Sequence, residues 1–383
     1  MRIGIVTFWE AFDNYGQALQ CWALQQVLTC LGHEPFVVRY KLKGRSGEGL
    51  KAKLNSTAHD LYALLKQIVK GEYGEVRKQQ RNVLIRDFAS FRAQNYSLSP
   101  HIYYSLDEIC SRPPEADAYI AGSDQIWGYK IKEKDNDVFF LGFGAKETLR
   151  IAYAPSFGLQ TYPDELKEEL KKKLSRFNSL SVREKTGVQI CDEVGYKAEH
   201  VLDPTLLLQK GDYERLKINH EHTCGQVFVY SINIKSAQDI RWNEIKEYAV
   251  KNQLRLIATT SSGYVPAREL LDGASYEYSK VEEWLDNISQ ASLVVTTSFH
   301  GVAFSIIMHT PFVYVPLAGG HSSGNNRVTE LLESLNLTSR IMTDDKKFKD
   351  VVNEAIDWAS VDKLLNSRRG QSLKYLRESL KRK

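Results

Sequence analysis

The sequence predicts an α/β fold made of two Rossmann-like domains that face each other across a cleft. Short apolar runs alternate with segments of helical periodicity along most of the chain, which is the pattern of parallel sheets covered by helices on both faces. The alternation runs in two series of similar length, with a changeover between about residues 206 and 225. A chain of 383 residues is also long enough for two domains of typical size.

The first series predicts an N-terminal domain over residues 1–206. It opens with the strand pattern IGIVTF at residues 3–8, a helix over residues 16–31 and a second strand, PFVVRY. Residues 44–100 break the alternation with a polar, glycine-containing linker and the helical stretches LYALLKQIVK and VLIRDFASFR, which predict an insertion. Alternation resumes with the strand patterns DAYIAGSD, LRIAYAP and SLSVRE, with a charged helix between the last two.

The second series predicts a C-terminal domain over residues 225–360. Its strand patterns are VFVYSIN, LRLIATT, SLVVTTS and FVYVP. Helices are expected around residues 237–251, in the segment VEEWLDNISQA, from Gly301 and from about Val328.

The C-terminal segment, residues 361–383, is rich in lysine and arginine. Leu373, Leu376 and Leu380 recur in it at helical spacing beside the basic residues. A basic amphipathic helix of this kind can lie on an anionic membrane surface, and its leucines can equally pack back on the first domain. The sequence leaves both alternatives open.

Composition argues against several functional classes. The formal net charge of +4 is small for this length, so a dedicated nucleic-acid binder is not indicated, whereas an anionic substrate would be tolerated. The five cysteines are scattered and never form a CxxC pair, which argues against a zinc site and a disulfide framework. Met1 runs directly into a strand pattern and no apolar run reaches about 18 residues, so we expect a cytoplasmic protein.

In open α/β sheets ligands bind beyond the carboxyl ends of the strands, so the loops that follow strands are where a site is expected. The first such loop, FWEAFDNYGQALQ, contains Asn14, which can cap the next helix, and Gly16, which lets a ligand approach the backbone. It has no GxGxxG, and the second strand ends near Arg39 instead of an acidic residue, so a nicotinamide dinucleotide is not expected. The alternative for this loop is a plain helix start.

The segment GSDQIW places a hydroxyl, a carboxylate, an amide and an indole at the end of another strand. Such a cluster is costly to bury without a function, so Asp124, Gln125 and Trp127 are candidate site residues. The alternative is a capped turn in which Trp127 covers the core. Arg183, just past the strand in SVRE, is a further candidate unless it only forms a local surface salt bridge with Glu184.

The segment TSFHG is a turn between the strand SLVVTTS and a helix, and it carries His300 beside Ser298. The backbone amides of residues 300–303 should point from the helix N-terminus into the cleft, where an anion would fit. The helix dipole contributes only about 0.3–1 kcal/mol, so cationic side chains are also expected, and Arg327 is the candidate. A histidine here can transfer a proton. The alternative for His300 is a histidine that only caps its helix or is satisfied in the core. His309, at the far end of the same helix, is interpreted as a cation near a helix C-terminus.

Together these motifs resemble one protein family. NYGQALQ, GSDQIW, SVRE, DPT at residues 203–205 and TSFHG followed by an arginine-led helix ending near ESLNL are similar to the polysaccharide pyruvyl transferase family, over about residues 1–340. Gly128 follows the tryptophan where many relatives carry asparagine. The resemblance implies a fold similar to the GT-B glycosyltransferases. It also implies transfer of a pyruvyl group from phosphoenolpyruvate to two hydroxyls of a sugar, as a cyclic ketal.

The resemblance implies roles for the candidate residues, with the acceptor on the first domain and the donor on the second. The catalytic candidates are His300, for proton transfer at the donor, and Asp124, for activating a sugar hydroxyl. The donor-binding candidates are Arg183, Arg327, Ser298 and Gly301. The acceptor-binding candidates are Asn14, Tyr15, Gln125 and Trp127. We expect no metal, and no cofactor besides the co-substrate phosphoenolpyruvate.

Two other functions stay open from the sequence. A GT-B nucleotide-sugar glycosyltransferase would use the same helix-end phosphate site, although no acidic residue after the SFHG helix is placed to hold a ribose. A non-catalytic saccharide-binding protein would explain the aromatic content but not the polar groups at strand ends. If the C-terminal helix binds a membrane, we expect a lipid-linked acceptor and an enzyme that is peripheral at the inner membrane face.

Overall fold

The computed structural model describes residues 1–41, 81–128, 133–216, 225–262, 268–319 and 324–381. Within these residues the strands form two five-stranded parallel sheets and one pair of two-residue strands. The strands of one large sheet fall within residues 1–206 and those of the other within residues 225–360. This is the α/β architecture that the alternation of apolar runs and helices predicted.

The first sheet forms the scaffold of the N-terminal half. Its strands, in the spatial order β3-β2-β1-β4-β5, are β1 (Arg2–Val6), β2 (Glu34–Tyr40), β3 (Leu98–Tyr103), β4 (Ala118–Ala121) and β5 (Leu149–Ala152). The accompanying helices are α1 (Tyr15–Cys30), α2 (Phe88–Asn95), α3 (Leu106–Ser111), α4 (Asp164–Leu174), α5 (Lys185–Glu193) and α6 (Lys210–Glu214). The short paired strands are β6 (Ser181–Val182) and β7 (Glu199–His200), and 3-10 helices span Lys134–Phe140 and Pro204–Leu207.

Part of the predicted insertion belongs to this sheet. Strand β3 begins at Leu98, inside the segment 44–100, and pairs with β2, so the first sheet has an edge strand that the sequence pattern did not predict. The strand contains Pro100, which is tolerated because an edge strand has one unpaired side. VLIRDFASFR is helical over most of its length as predicted, whereas LYALLKQIVK lies outside the described residues.

The second sheet has the same strand arrangement. Its strands, in the spatial order β10-β9-β8-β11-β12, are β8 (Gln226–Ile232), β9 (Arg255–Ser261), β10 (Ser275–Tyr276), β11 (Leu293–Thr296) and β12 (Phe312–Tyr314). The helices of this half are α7 (Trp242–Lys251), α8 (Val281–Gln290), α9 (Phe299–Met308), α10 (Asn325–Ser334), α11 (Phe348–Asn353) and α12 (Trp358–Ser379), with 3-10 helices at Ala237–Ile240 and Thr338–Arg340. Helix α9 begins at Phe299, two residues before Gly301, because the backbone is extended as far as Ser298. Helix α10 begins at Asn325, before Val328.

Both sheets reverse their strand order at the centre. In the first sheet the chain adds β2 and β3 on one side of β1, and β4 and β5 on the other; β8 is flanked in the same way in the second sheet. At such a switch point the loops after the two central strands diverge and leave a crevice. These crevices follow β1 and β4 in one sheet and β8 and β11 in the other. Asn14 and Asp124 lie in these loops, and His300 lies in the first turn of α9, which follows β11.

Aromatic side chains join the two halves of the chain. Tyr15, at the start of α1, stacks on Trp284 of α8 with ring centroids 5.0 Å apart and 5° between the ring planes. It also meets Tyr230 of β8 edge to face. Arg86 donates to the Tyr15 hydroxyl at 3.1 Å and to the carbonyl of Thr260 at 2.5 Å. These buried contacts hold α1 against the second sheet.

Helix α12 packs against the first half of the chain. The Tyr375 hydroxyl donates to the carbonyl of Ala152, at the end of β5, at 2.9 Å. Leu376 and Leu380 are buried, and Leu373 packs against the same core. The leucines that could have faced a membrane therefore contact the fold, as the second of the two alternatives predicted. No helix within the described residues is long and apolar enough to cross a bilayer.

Replacing Leu376 by alanine should lower the free energy of unfolding by about 2–5 kcal/mol, because it leaves a cavity under α12 where the side chain is completely buried. Denaturant unfolding followed by circular dichroism measures the change. The control is Arg377→Ala on the next, exposed position, which should change stability little. Equal effects of the two substitutions would show that α12 does not pack through Leu376.

Candidate active site

The carboxyl ends of the two sheets enclose a cleft of about 510 Å³. Its walls come mainly from the loops after β1, β4, β8 and β11, from the end of β2, from the 3-10 helix Lys134–Phe140 and from the first turn of α10. Both switch points therefore open into one space. A cleft of this size at such a position is where α/β proteins bind small ligands.

His300 lies at the floor of this cleft, in the first turn of α9. It packs so closely on Gly16 of α1 that a Cβ atom at position 16 would lie 1.9 Å from His300 Nδ1. Only glycine fits there, which explains why Gly16 follows Tyr15 at the helix start. On the other edge of the ring, Nε2 has no hydrogen-bond partner within the described residues and lies 3.8 Å from Asp203 Oδ2. The imidazole is thus held between both halves of the chain with one nitrogen able to hold or release a proton.

The N-terminus of α9 supplies backbone donors beside this imidazole. Ser298 is the N-cap residue, its side chain makes no capping hydrogen bond, and the amide of Val302 is the first to bond back, to the Ser298 carbonyl at 3.1 Å. The amides of residues 299–301 therefore have no acceptor within the helix. The amides that the sequence predicted for this role, those of residues 300–303, begin one residue later. Gly301 lets the helix start this close to β11, because a Cβ there would lie 2.2 Å from Thr296 Oγ1. This geometry suits an anion.

A fully buried carboxylate, Asp203, lies behind His300. Oδ1 accepts from the amide and the hydroxyl of Thr205 at 3.0 and 2.7 Å, and Oδ2 accepts from Ser123 Oγ at 3.1 Å and Arg183 Nη1 at 2.7 Å. Burial alone would raise the pKa of this carboxyl, but the nearby His300 and Arg183 outweigh burial and hold the pKa well below its usual range. Asp203 is therefore ionised at neutral pH.

Arg183 does not lie where the sequence analysis expected it. Its side chain is 1% exposed, pairs with Asp203 and does not line the cleft, and the ring of Phe299 covers its guanidinium at 5.1 Å. It is not in a surface salt bridge with Glu184, whose Oε1 instead accepts from the amide of Phe157 at 2.8 Å. The prediction that Arg183 binds the donor directly is therefore not supported in this conformation. Its position behind the carboxylates favours a role in placing and neutralising them.

Asp124 does lie in the cleft. Its φ of 77° is in the left-handed region, which is uncommon outside glycine and is adopted most often by asparagine and aspartate. Gln17 Nε2 donates to Oδ2 at 2.9 Å and the amide of Gln125 donates to Oδ1 at 2.8 Å. Burial would raise the pKa of Asp124, but Arg183, with Nη2 at 4.0 Å from Oδ1, and the other donors hold it below the ordinary value. Asp124 is thus an oriented, ionised carboxylate.

Four more predicted residues line the same cleft. Asn14 caps α1 by accepting from the Gln17 amide at 3.0 Å, Gln125 follows Asp124, Ser298 precedes α9, and Arg327 lies in the first turn of α10. The structure therefore brings together loops from both halves of the chain, as predicted.

Two predicted acceptor residues are placed elsewhere. Trp127 is fully buried, stacks on Phe140 with ring centroids 5.2 Å apart, and its indole donates to the carbonyl of Phe139. It covers the core, which is the alternative for GSDQIW. Tyr15 is also fully buried, and its hydroxyl donates to the carbonyl of Ser279. Neither ring lines the cleft, because both surfaces are used within the fold, so the structure gives no support to the prediction that these rings contact the acceptor.

The site also contains residues to which the sequence analysis assigned no role. Gln17 donates a hydrogen bond to Asp124 and so orients it. Asp203 accepts a hydrogen bond from Arg183 and lies 3.8 Å from His300 Nε2. Asp203 belongs to the DPT motif after β7. Its position just past a strand is the feature of the sequence that could have identified it as a site residue. The described residues contain no group of three or more histidine, cysteine, aspartate or glutamate side chains that could hold a metal ion.

Replacing Asp203 by asparagine should cost about 3–5 kcal/mol of stability at pH 7, because it leaves the buried Arg183 charge without its partner. Since the folded-state pKa of Asp203 is depressed, its stabilisation is present above the unfolded-state pKa of about 3.9 and is lost as the pH falls. The difference between the two proteins should therefore shrink below about pH 4 in urea unfolding. Asp107→Asn, at an exposed ion pair, is the control and should change stability little at either pH. A pH-independent difference would contradict this account.

Comparison with known proteins agrees with the site and the fold. The family model for polysaccharide pyruvyl transferase matches residues 14–317. No curated protein matches the chain. Among solved structures, the UDP-GlcNAc 2-epimerase from Neisseria meningitidis bound to UDP-GlcNAc has a TM-score of 0.50 at 10% identity and covers 99% of each chain. The UDP-N-acetylglucosamine 2-epimerase from Rickettsia bellii has the same TM-score and identity, with 99% of this chain and 95% of that chain covered.

At this level of identity the structural likeness concerns the fold alone, and it confirms the predicted GT-B-like arrangement of two Rossmann-like domains. The family match, by contrast, covers the loops after β4 and β11 and most of the chain. This protein is therefore a member of the polysaccharide pyruvyl transferase family.

Proposed function

We propose that this protein transfers the pyruvyl group of phosphoenolpyruvate to two hydroxyls of a sugar, forming a cyclic ketal. The observation that supports this reaction best is the position of His300. It is a potential proton donor at the N-terminus of α9, in one cleft with Arg327 and with the ionised carboxylate of Asp124. The reaction needs a proton donor, a proton acceptor and an anion site in the same place, and the family match favours this chemistry.

The donor binds on the second half of the chain in this proposal. Phosphoenolpyruvate carries a phosphate and a carboxylate. The amides of residues 299–301 and the guanidinium of Arg327 are the groups that receive them. Hydrogen bonds to charged groups contribute about 1.5–3 kcal/mol each, more than the helix dipole alone, so Arg327 is expected to contribute substantially to donor affinity.

His300 gives its proton to the methylene carbon of phosphoenolpyruvate, which becomes a methyl group. The neighbouring carbon becomes electron-deficient, one sugar hydroxyl adds to it, phosphate leaves, and the second hydroxyl closes the ketal. Two hydroxyl protons are released: the proton of the attacking hydroxyl passes by way of Asp124 to phosphate or solvent, and the proton of the second hydroxyl replaces the one that His300 gave. The buried charges of Asp203 and Arg183 stay unchanged throughout, so they serve to keep His300 and Asp124 in place.

Asp124 accepts a proton from the attacking hydroxyl in this proposal. Its carboxylate is ionised at neutral pH and its orientation is set by Gln17 and by its own backbone conformation. Gln125 and Asn14, on the same wall, can hydrogen-bond neighbouring hydroxyls.

The direct test is phosphate release from phosphoenolpyruvate in the presence of free and lipid-linked saccharides, with mass spectrometry of the product. The ketal adds a carboxyl-bearing group to the sugar and consumes two hydroxyls. UDP-GlcNAc in place of phosphoenolpyruvate is the comparison donor, because the Neisseria meningitidis structure of this fold binds it. Sugar transfer from UDP-GlcNAc without phosphate release from phosphoenolpyruvate would favour a glycosyltransferase instead.

His300→Asn should lower turnover roughly a hundredfold or more while keeping the fold and most donor binding, because asparagine cannot supply the proton. Steady-state phosphate release measures turnover, and calorimetry measures phosphoenolpyruvate binding. His309→Asn is the matched control at the other end of α9. His309 pairs with Asp362 at 2.9 Å outside the cleft, so turnover should be unchanged. Near-normal turnover of His300→Asn would contradict the assignment of His300 as the proton donor.

Arg327→Ala should raise the KM for phosphoenolpyruvate roughly ten- to a hundredfold with a much smaller effect on the acceptor KM, because one charged hydrogen-bonding partner is lost. Arg215→Ala, at the exposed residue that follows α6, provides the control for loss of a positive charge. An unchanged donor KM in Arg327→Ala would place the anion site elsewhere.

A further inference from the structure

The two walls of the cleft differ in chemistry. The wall from the second half of the chain carries hydroxyl, amide and cationic groups around the start of α9, with Phe299 among them. The wall from the first half is rich in aromatic rings, namely Phe8, Trp9, Phe12, Tyr40 and Phe139. A cleft of about 510 Å³ is larger than a three-carbon phosphate ester fills, so the aromatic wall has room for a second ligand.

The rings of this aromatic wall are held in place by the fold. Trp9 Nε1 donates to a carbonyl of β2 at 2.9 Å, and Phe139, which is 2% exposed, packs edge to face on Phe8 at 5.0 Å. The guanidinium of Arg92, from α2, lies 5.6 Å from the centre of the Phe12 ring. Phe8 and Phe12 nevertheless keep part of their surface open. The wall is thus a preformed surface, which lowers the entropic cost of binding.

A pair of charged side chains lies beside these rings. Lys41 Nζ is 3.1 Å from Glu10 Oε1, their side chains are 11% and 20% exposed, and both line the cleft. Together they offer a donor and an acceptor without net charge.

A pyranose ring matches this combination, because one of its faces presents C–H groups and its rim carries hydroxyls. The C–H face can pack on phenyl rings and the hydroxyls can bond to the carboxylate and the ammonium group. A phosphate ester would instead lose hydration against the rings without compensating hydrogen bonds. The anionic donor therefore suits the opposite wall, and a saccharide suits this one.

We propose that the aromatic wall is a saccharide subsite, in which Phe8 and Phe12 contact the C–H face of a pyranose ring and the Glu10–Lys41 pair binds its hydroxyls. These rings would make the aromatic contact with the acceptor for which Trp127 was a candidate. Its designation as the acceptor site rests on the proposed pyruvyl transfer, whereas saccharide binding at this wall does not.

Saturation-transfer NMR on the full chain tests binding, because it detects weak ligands. The probes are the methyl α-D-pyranosides of glucose, galactose and mannose, without phosphoenolpyruvate. At least one probe should receive saturation, strongest at ring C–H protons, and Phe8→Leu and Phe12→Leu should each reduce the signal severalfold. Tyr104→Leu is the control, since Tyr104 is an aromatic residue of the same half that is 50% exposed and outside the cleft. Circular dichroism verifies that each variant is folded.

The proposal is overturned if no probe receives saturation from the unmodified protein, or if the signals persist in both phenylalanine variants. Steady-state kinetics distinguish a failure of the proposed subsite from a failure of the proposed reaction. If pyruvyl transfer occurs, Phe12→Leu should raise the acceptor KM roughly five- to tenfold and leave the phosphoenolpyruvate KM unchanged. An unchanged acceptor KM would overturn the subsite while the reaction stands. Saccharide binding that depends on Phe8 and Phe12, without any turnover of phosphoenolpyruvate, would support the subsite and count against the reaction.

Discussion

The buried carboxylate of Asp203 ties together segments that are far apart in the sequence. It accepts from Ser123 after β4 and from Arg183 after β6, and it lies 3.8 Å from His300 in α9. Removing an ion from water costs several kcal/mol unless partners replace its hydration, so this carboxylate is stable only when these segments converge. The cleft floor and the potential proton donor are therefore held by the same interaction.

A second constraint acts across the two halves of the chain. Gly16 on α1 and His300 on α9 approach so closely that no side chain fits between them, and Tyr15 next to Gly16 stacks on Trp284. The imidazole is consequently set by contacts from both halves. Small shifts between the halves would change the distance from His300 to Asp203, which links the packing of the halves directly to the site.

The cleft separates two kinds of recognition. Backbone amides and a guanidinium lie on one wall, and aromatic rings with a charge-neutral ion pair lie on the other. Asp124 and His300, the two residues to which we assign the proton transfers, line the same cleft. A reaction that joins an anionic donor to a neutral sugar needs this order of groups, which is why the arrangement favours the proposed transfer over binding alone.

The sequence by itself determined the alternation of strands and helices, the loops in which the site lies and the family, because periodicity and short motifs are local properties. It placed His300, Asp124 and Arg327 correctly at strand or helix ends that open on the cleft. It could not decide which face of a loop is covered: Trp127 and Tyr15 are buried in the fold, and Arg183 pairs with Asp203. Burial and pairing depend on which distant residues come within a few ångströms, and only the tertiary structure decides that.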